Sequence, residues 1–124
     1  MLSNDKNTPT FSMPGGESSS PARSRPIDVV HLARQTMGDR VLEQEILCLF
    51  VHQTMRVRQH IAKADATECR RLAHGLKGSA RSVGAFAIAD CAEEIEHHPD
   101  DAHTKRKLAR LIDEVRDFVA AIGR

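Results

Sequence analysis

Hydrophobic residues along this chain recur at three-, four- and seven-residue steps, and no stretch shows the sustained two-residue alternation of a strand. The steps divide into five helical segments. Asp28 caps a short one running to about Thr36, which Met37-Gly38 ends. Asp39 caps the next, with Leu42, Ile46, Leu49, Phe50, Val57 and Ile61 expected inward. A third begins at Asp65 or Thr67, carries Leu72, Leu76, Ala80 and Val83, and stops near Gly84. A fourth runs from about Ala85 to His97 with Ile88, Cys91, Ala92 and Ile95 inward, closed by Pro99. Asp100 or Asp101 opens the last, with Leu108, Leu111, Ile112, Val115, Phe118, Val119 and Ile122 inward and Gly123 at its end. Short connections favour antiparallel neighbours. The expected fold is therefore all-α: an up-and-down antiparallel four-helix bundle with a short additional N-terminal helix.

Residues 1–26 are different. They hold six Ser, two Gly and four of the five Pro, and few large apolar side chains. Such a segment buries too little surface to offset its ordering entropy, so 1–26 reads as a disordered tail and 27–124 as the bundle domain. At 124 residues the chain has room for one domain. Its 18 basic and 17 acidic residues nearly cancel, which gives no lead to nucleic acid or to an anionic membrane. The N-terminus lacks the apolar core of a signal peptide, and no run approaches a membrane span, so a cytoplasmic location is expected. Cys48, Cys69 and Cys91 lie more than 20 residues apart, without metal or redox spacing, and read as reduced core thiols.

The informative stretch is Ala73-His74-Gly75-Leu76-Lys77-Gly78-Ser79-Ala80. On a helical wheel Cys69, Leu72, Leu76, Ala80 and Val83 share a face, and His74 falls about 165° from its middle. Arg70, Lys77, Gly78 and Arg81 surround it. His74 is thus expected in solvent, ringed by positive charge. Two glycines inside a helix each cost roughly 1 kcal/mol relative to Ala. Either they mark a poor helix or close packing against a neighbouring helix, or they clear space. Helical side chains lean toward the N-terminus, so residue i+4 tends to cover residue i, and Gly78 at that position covers nothing. An exposed imidazole is nucleophilic near neutral pH. A phosphoryl group on it brings nearly two negative charges, which Lys77 and Arg81 can partly neutralise. No Ser-His-Asp set, phosphate loop or acidic metal cluster accompanies the histidine, so the chain has no visible means of hydrolysing or activating anything alone.

These residues resemble the histidine-containing phosphotransfer (HPt) family of two-component phosphorelays. Its signature, H-x-L-K-G-[SA]-[SA] followed by G-A, stands here as His74-Gly75-Leu76-Lys77-Gly78-Ser79-Ala80 and then Gly84-Ala85. Ile88-Ala89 and Ala92-Glu93-Glu94-Ile95-Glu96 also look like family features, and the resemblance covers roughly residues 27–122. It implies that His74 is the phospho-acceptor, modified on Nε2, that Lys77 lies beside the phosphoryl group, and that Gly78 makes room for a receiver domain. It gives Ser79 a supporting role, and Leu76 and Ala80 packing roles. Arg70 and Arg81, on the same face, are placed to steer an acidic receiver surface. Gly75 departs from the pattern, since the family usually carries a side chain there. The implied partners are receiver domains of response regulators and of a hybrid histidine kinase. The chain would be a monomeric phosphocarrier with no cofactor and no activity of its own, the Mg²⁺ for transfer belonging to the receiver.

Three other readings are weaker. A histidine-kinase dimerisation domain calls for acidic and Arg-Thr-Pro residues after the histidine, which are missing. A helical metal protein would use the seven histidines, but His97, His98 and His103 straddle a Pro turn, and His31, His52 and His60 lie singly. An interaction module without chemistry leaves the integrity of the His74 motif unexplained.

Overall fold

A computed structural model describes residues 25–123. Within it five helices follow one another: α1 (Val29–Gln35), α2 (Arg40–Ile61), α3 (Ala66–Val83), α4 (Phe86–His97) and α5 (Ala102–Ile122). All but α4 begin with an aspartate whose side chain accepts from backbone N–H groups of the first turn: Asp28, Asp39, Asp65 and Asp101. Each such cap satisfies donors that the helix itself leaves unpaired. Of the alternatives left by the sequence, Asp65 rather than Thr67 and Asp101 rather than Asp100 do the capping. Most of the expected tail lies outside the described residues, and Ile27 is fully buried.

The long helices form a closed ring, α2 on α3, α3 on α4, α4 on α5 and α5 back on α2. Ion pairs record the antiparallel sense. From α3 to α4, His74 and Lys77 meet Glu96 while the later Arg81 meets the earlier Glu93. α5 is tied back to α2 by the Arg58–Asp113 pair. The buried core runs through all of them, with Leu47, Phe50, Leu76, Ile88, Ile95, Leu108 and Ile112 among its members. α3 and α4 pack most closely, and the buried side chains they offer include the small Ala73, Ala80, Ala89 and Ala92. No helix among the described residues is long and apolar enough to cross a membrane.

α1 holds the corner where α3 turns into α4. The Asp28 N–H donates to the Gly84 carbonyl at 2.8 Å, and His31 Nε2 bonds the Ser82 carbonyl at 3.2 Å. The His31 ring meets Phe86 edge-on, centroids 5.2 Å apart. Gly84 has φ +87°, and a Cβ there would stand 2.8 Å from the Asp28 carbonyl oxygen. The position takes only glycine, for conformation and for room alike.

Three expectations need correction. Leu42 and Leu49 do not face inward but are 40% and 70% exposed. The buried line of α2 is Leu47, Phe50, Thr54 and Ile61, and the two leucines lie roughly 110–130° around the helix from it. The polar Thr54 hid that line; it is buried because its hydroxyl donates to the Val51 carbonyl at 2.9 Å. Cys48 is exposed on the outer side of the same helix, whereas Cys69 and Cys91 are buried as expected. Ile122, in the last turn of α5, is exposed as well.

Candidate functional site

α3 carries the site because its two faces differ. Cys69, Ala73, Leu76, Ala80 and Val83 anchor one face in the core. The opposite face then stands outward, and His74 is there with its side chain 74% exposed. Gly75 and Gly78 flank it, and a Cβ built at either would meet nothing within 4 Å. That speaks against close packing as the reason for the glycines. They do not admit a neighbouring helix; they leave bare, open backbone beside the imidazole.

The imidazole is held by a carboxylate from the next helix. His74 Nδ1 lies 2.9 Å from Glu96 Oε2. Contact with Lys77 keeps the Glu96 carboxyl below its ordinary value; partial burial opposes this and the bond from His74 adds to it. An ionised carboxylate only accepts, so Nδ1 carries the proton and donates it, and in the neutral ring the lone pair is on Nε2. Lys77 Nζ reaches the other oxygen, Glu96 Oε1, at 2.6 Å, and both side chains are largely covered, 19% and 20% exposed. Oε1 is shut off from water, and this ammonium is the cation it faces. One carboxylate thus bridges the imidazole and the ammonium.

The expected ring of positive charge is therefore only partly present. Lys77 is neutralised by Glu96, and Arg81 pairs with Glu93 at 2.9 Å; Arg70 is exposed on the same face. The two carboxylates come from α4, which a wheel drawn for α3 alone cannot show. A signal for them existed. His74 and Glu96 lie at nearly equal distances along the chain from the Gly84-Ala85 turn, so an antiparallel hairpin folds one onto the other.

Ser79 is not at the imidazole. Its hydroxyl accepts from Gln53 Nε2 at 3.0 Å and ties α3 to α2. Beside that link a groove runs between the two helices, lined by Leu49, Gln53, Arg56 and Leu72 among others, with Leu49 exposed and Leu72 half-buried. Among the described residues no group of three or more His, Cys, Asp or Glu is arranged to hold a metal ion.

A single nucleophilic nitrogen, fixed in one tautomer on an open helix face with bare backbone beside it, suits a group carrier that another protein must reach. Comparison with known families matches the chain to a model described as Hpt domain over residues 45–123, more than half of the chain. No curated protein and no solved structure matches.

Proposed function

The chain belongs to the Hpt domain family, whose members are phosphocarrier modules of two-component phosphorelays, and we propose that it accepts a phosphoryl group on His74 and passes it on. The observation that carries this reading is the exposed His74 imidazole with Nδ1 tied to Glu96 and open space at Gly75 and Gly78.

In this reading the donor is a receiver domain, of a response regulator or a hybrid kinase, carrying a phospho-aspartate. The Nε2 lone pair of His74 attacks phosphorus; the N–P bond forms as the acyl O–P bond breaks, and the aspartate leaves as a carboxylate. Nδ1 keeps its proton throughout, so the phosphorylated ring carries positive charge facing the Glu96 carboxylate. The reverse of the same step loads a second receiver. Glu96 acts as a positioning residue, since it holds the tautomer that makes Nε2 the nucleophile. Lys77 is assigned to the phosphoryl oxygens, Gly78 admits the receiver, and the exposed groove beside Leu49 gives that receiver apolar surface to rest on. Arg70 and Arg81 steer its acidic face, an effect that salt weakens. Ser79 supports α3 from the α2 side. The Mg²⁺ used in transfer belongs to the receiver, and no residue here is assigned to it.

The test is transfer from a charged receiver domain. The wild-type chain gains acid-labile, base-stable phosphate, and His74→Gln gains none while keeping its helicity, because an exposed side chain carries little of the fold's stability. Label that persists in His74→Gln, or lands on another histidine, defeats the proposal; docking without any transfer would leave an interaction module.

A further inference from the structure

Lys77 has two claims on it. In the unphosphorylated protein its ammonium is 2.6 Å from Glu96 Oε1, and that oxygen is buried from solvent. The other oxygen of the same carboxylate holds the imidazole that would receive the phosphoryl group. A phosphoryl group on the ring brings nearly two negative charges within one helical turn of the same ammonium. If Lys77 swung to it completely, Glu96 Oε1 would be left shielded from water with a charge and no partner, which is costly. If Lys77 stayed where it is, the phosphoryl oxygens would lose their nearest cation. Arg81 does not settle the matter, because Glu93 already holds it.

We propose that Glu96 and the phosphoryl group compete for Lys77, so that Glu96 sets how long His74 retains its phosphoryl group. This rests on the reading of His74 as the acceptor and adds a regulating role for Glu96 to its positioning one. The direction follows from the contacts. A cation paired with the phosphoryl oxygens only in the phosphorylated state stabilises that state. Whatever share of Lys77 the Glu96 carboxylate keeps is lost from that pairing, and the phosphoryl group is correspondingly easier to pass on. Neutralising Glu96 frees Lys77 and makes the carrier hold its cargo longer. An ion pair at this degree of exposure gives an effect of about two- to fivefold in lifetime.

Phosphoramidate supplies a test that needs no partner. Its P–N bond breaks as the His74 Nε2–P bond forms, and ammonia leaves. The full chain is labelled this way, freed of reagent, and the decay of the His74 phosphopeptide is followed at neutral pH. Glu96→Gln should lengthen the lifetime about two- to fivefold, and Glu96→Ala should act in the same direction. In a Lys77→Ala background the same Glu96 substitutions should have little effect. A role for Glu96 through the ring nitrogen or the fold alone would survive the loss of Lys77; competition for Lys77 would not. An unchanged or shortened lifetime in the Glu96 variants overturns the inference, as does an equal lengthening with and without Lys77. Wild-type chain that takes label on other histidines but not on His74 sinks the acceptor reading and this inference with it. Label on His74 that decays independently of Glu96 sinks the inference alone.

Discussion

Replacing Gly78 should move stability and transfer in opposite directions. The position is interior to α3, five residues before its last residue Val83, where glycine is about 0.8–1.0 kcal/mol less favourable than alanine. Nothing stands within 4 Å of the Cβ that alanine would add, so no clash subtracts from that gain. Gly78→Ala should therefore stabilise the fold by about 1 kcal/mol, which for a domain of this size raises Tm by about 4–8 °C. Gly78→Gln or Gly78→Leu should keep most of the gain, since both are good helix formers and the added Cβ meets no neighbour. Both lie one turn past His74, where their side chains lean back over the imidazole. They should slow transfer from a charged receiver severalfold or more, with Gly78→Ala slowing it least. Thermal melts followed by circular dichroism give the first quantity, and single-turnover transfer gives the second. A fall in Tm for Gly78→Ala would show a contact that the structure lacks. Unchanged transfer in the bulky variants would show that the glycine does not serve access, and the argument from bare backbone would fail.

Gly84→Ala should destabilise the fold by about 2 kcal/mol or more, because the left-handed backbone costs 1–2 kcal/mol and the new Cβ presses on the Asp28 carbonyl oxygen at 2.8 Å; a denaturation midpoint equal to wild type would refute this. Of the three thiols, only the exposed Cys48 should react with a maleimide in the native protein, and Cys69 and Cys91 only after unfolding; burial pushes the Cys91 thiol up to about 11, so its nucleophilic form is scarce at neutral pH. Acid should weaken the fold through carboxylates held low: Asp113 by its bond from Arg58, Asp101 by the Thr104 hydroxyl, and Glu68 by Arg71. Their stabilisation is present above the unfolded carboxylate range near pH 4 and is lost as pH falls through the lower folded values, so Tm should drop between about pH 5 and pH 3; a flat Tm across that window would remove the cause assigned here.

What could be read from the sequence depended on whether the information lay within one helix. The caps Asp28 and Asp39, the stop at Gly84 and the outward placement of His74 are set by residues within a few positions of each other and were legible, while the other two caps were each narrowed to a pair. Leu42 and Leu49 were misread because seven-residue spacing matches an inward stripe and an outward one equally; Thr54, counted as polar, was the residue that fixed which was which. Glu96 was the larger omission. Its role depends on a residue 22 positions away, across a turn, and a helix drawn alone shows His74 amid cations where the folded site has a carboxylate between imidazole and ammonium. That difference alters the chemistry and not only the picture. Cations alone would attract a phosphoryl group and keep it. In the proposed reading, a carboxylate that fixes the ring proton and also holds the nearest lysine would suit the same histidine to accept the group and to give it up, and a carrier has to do both.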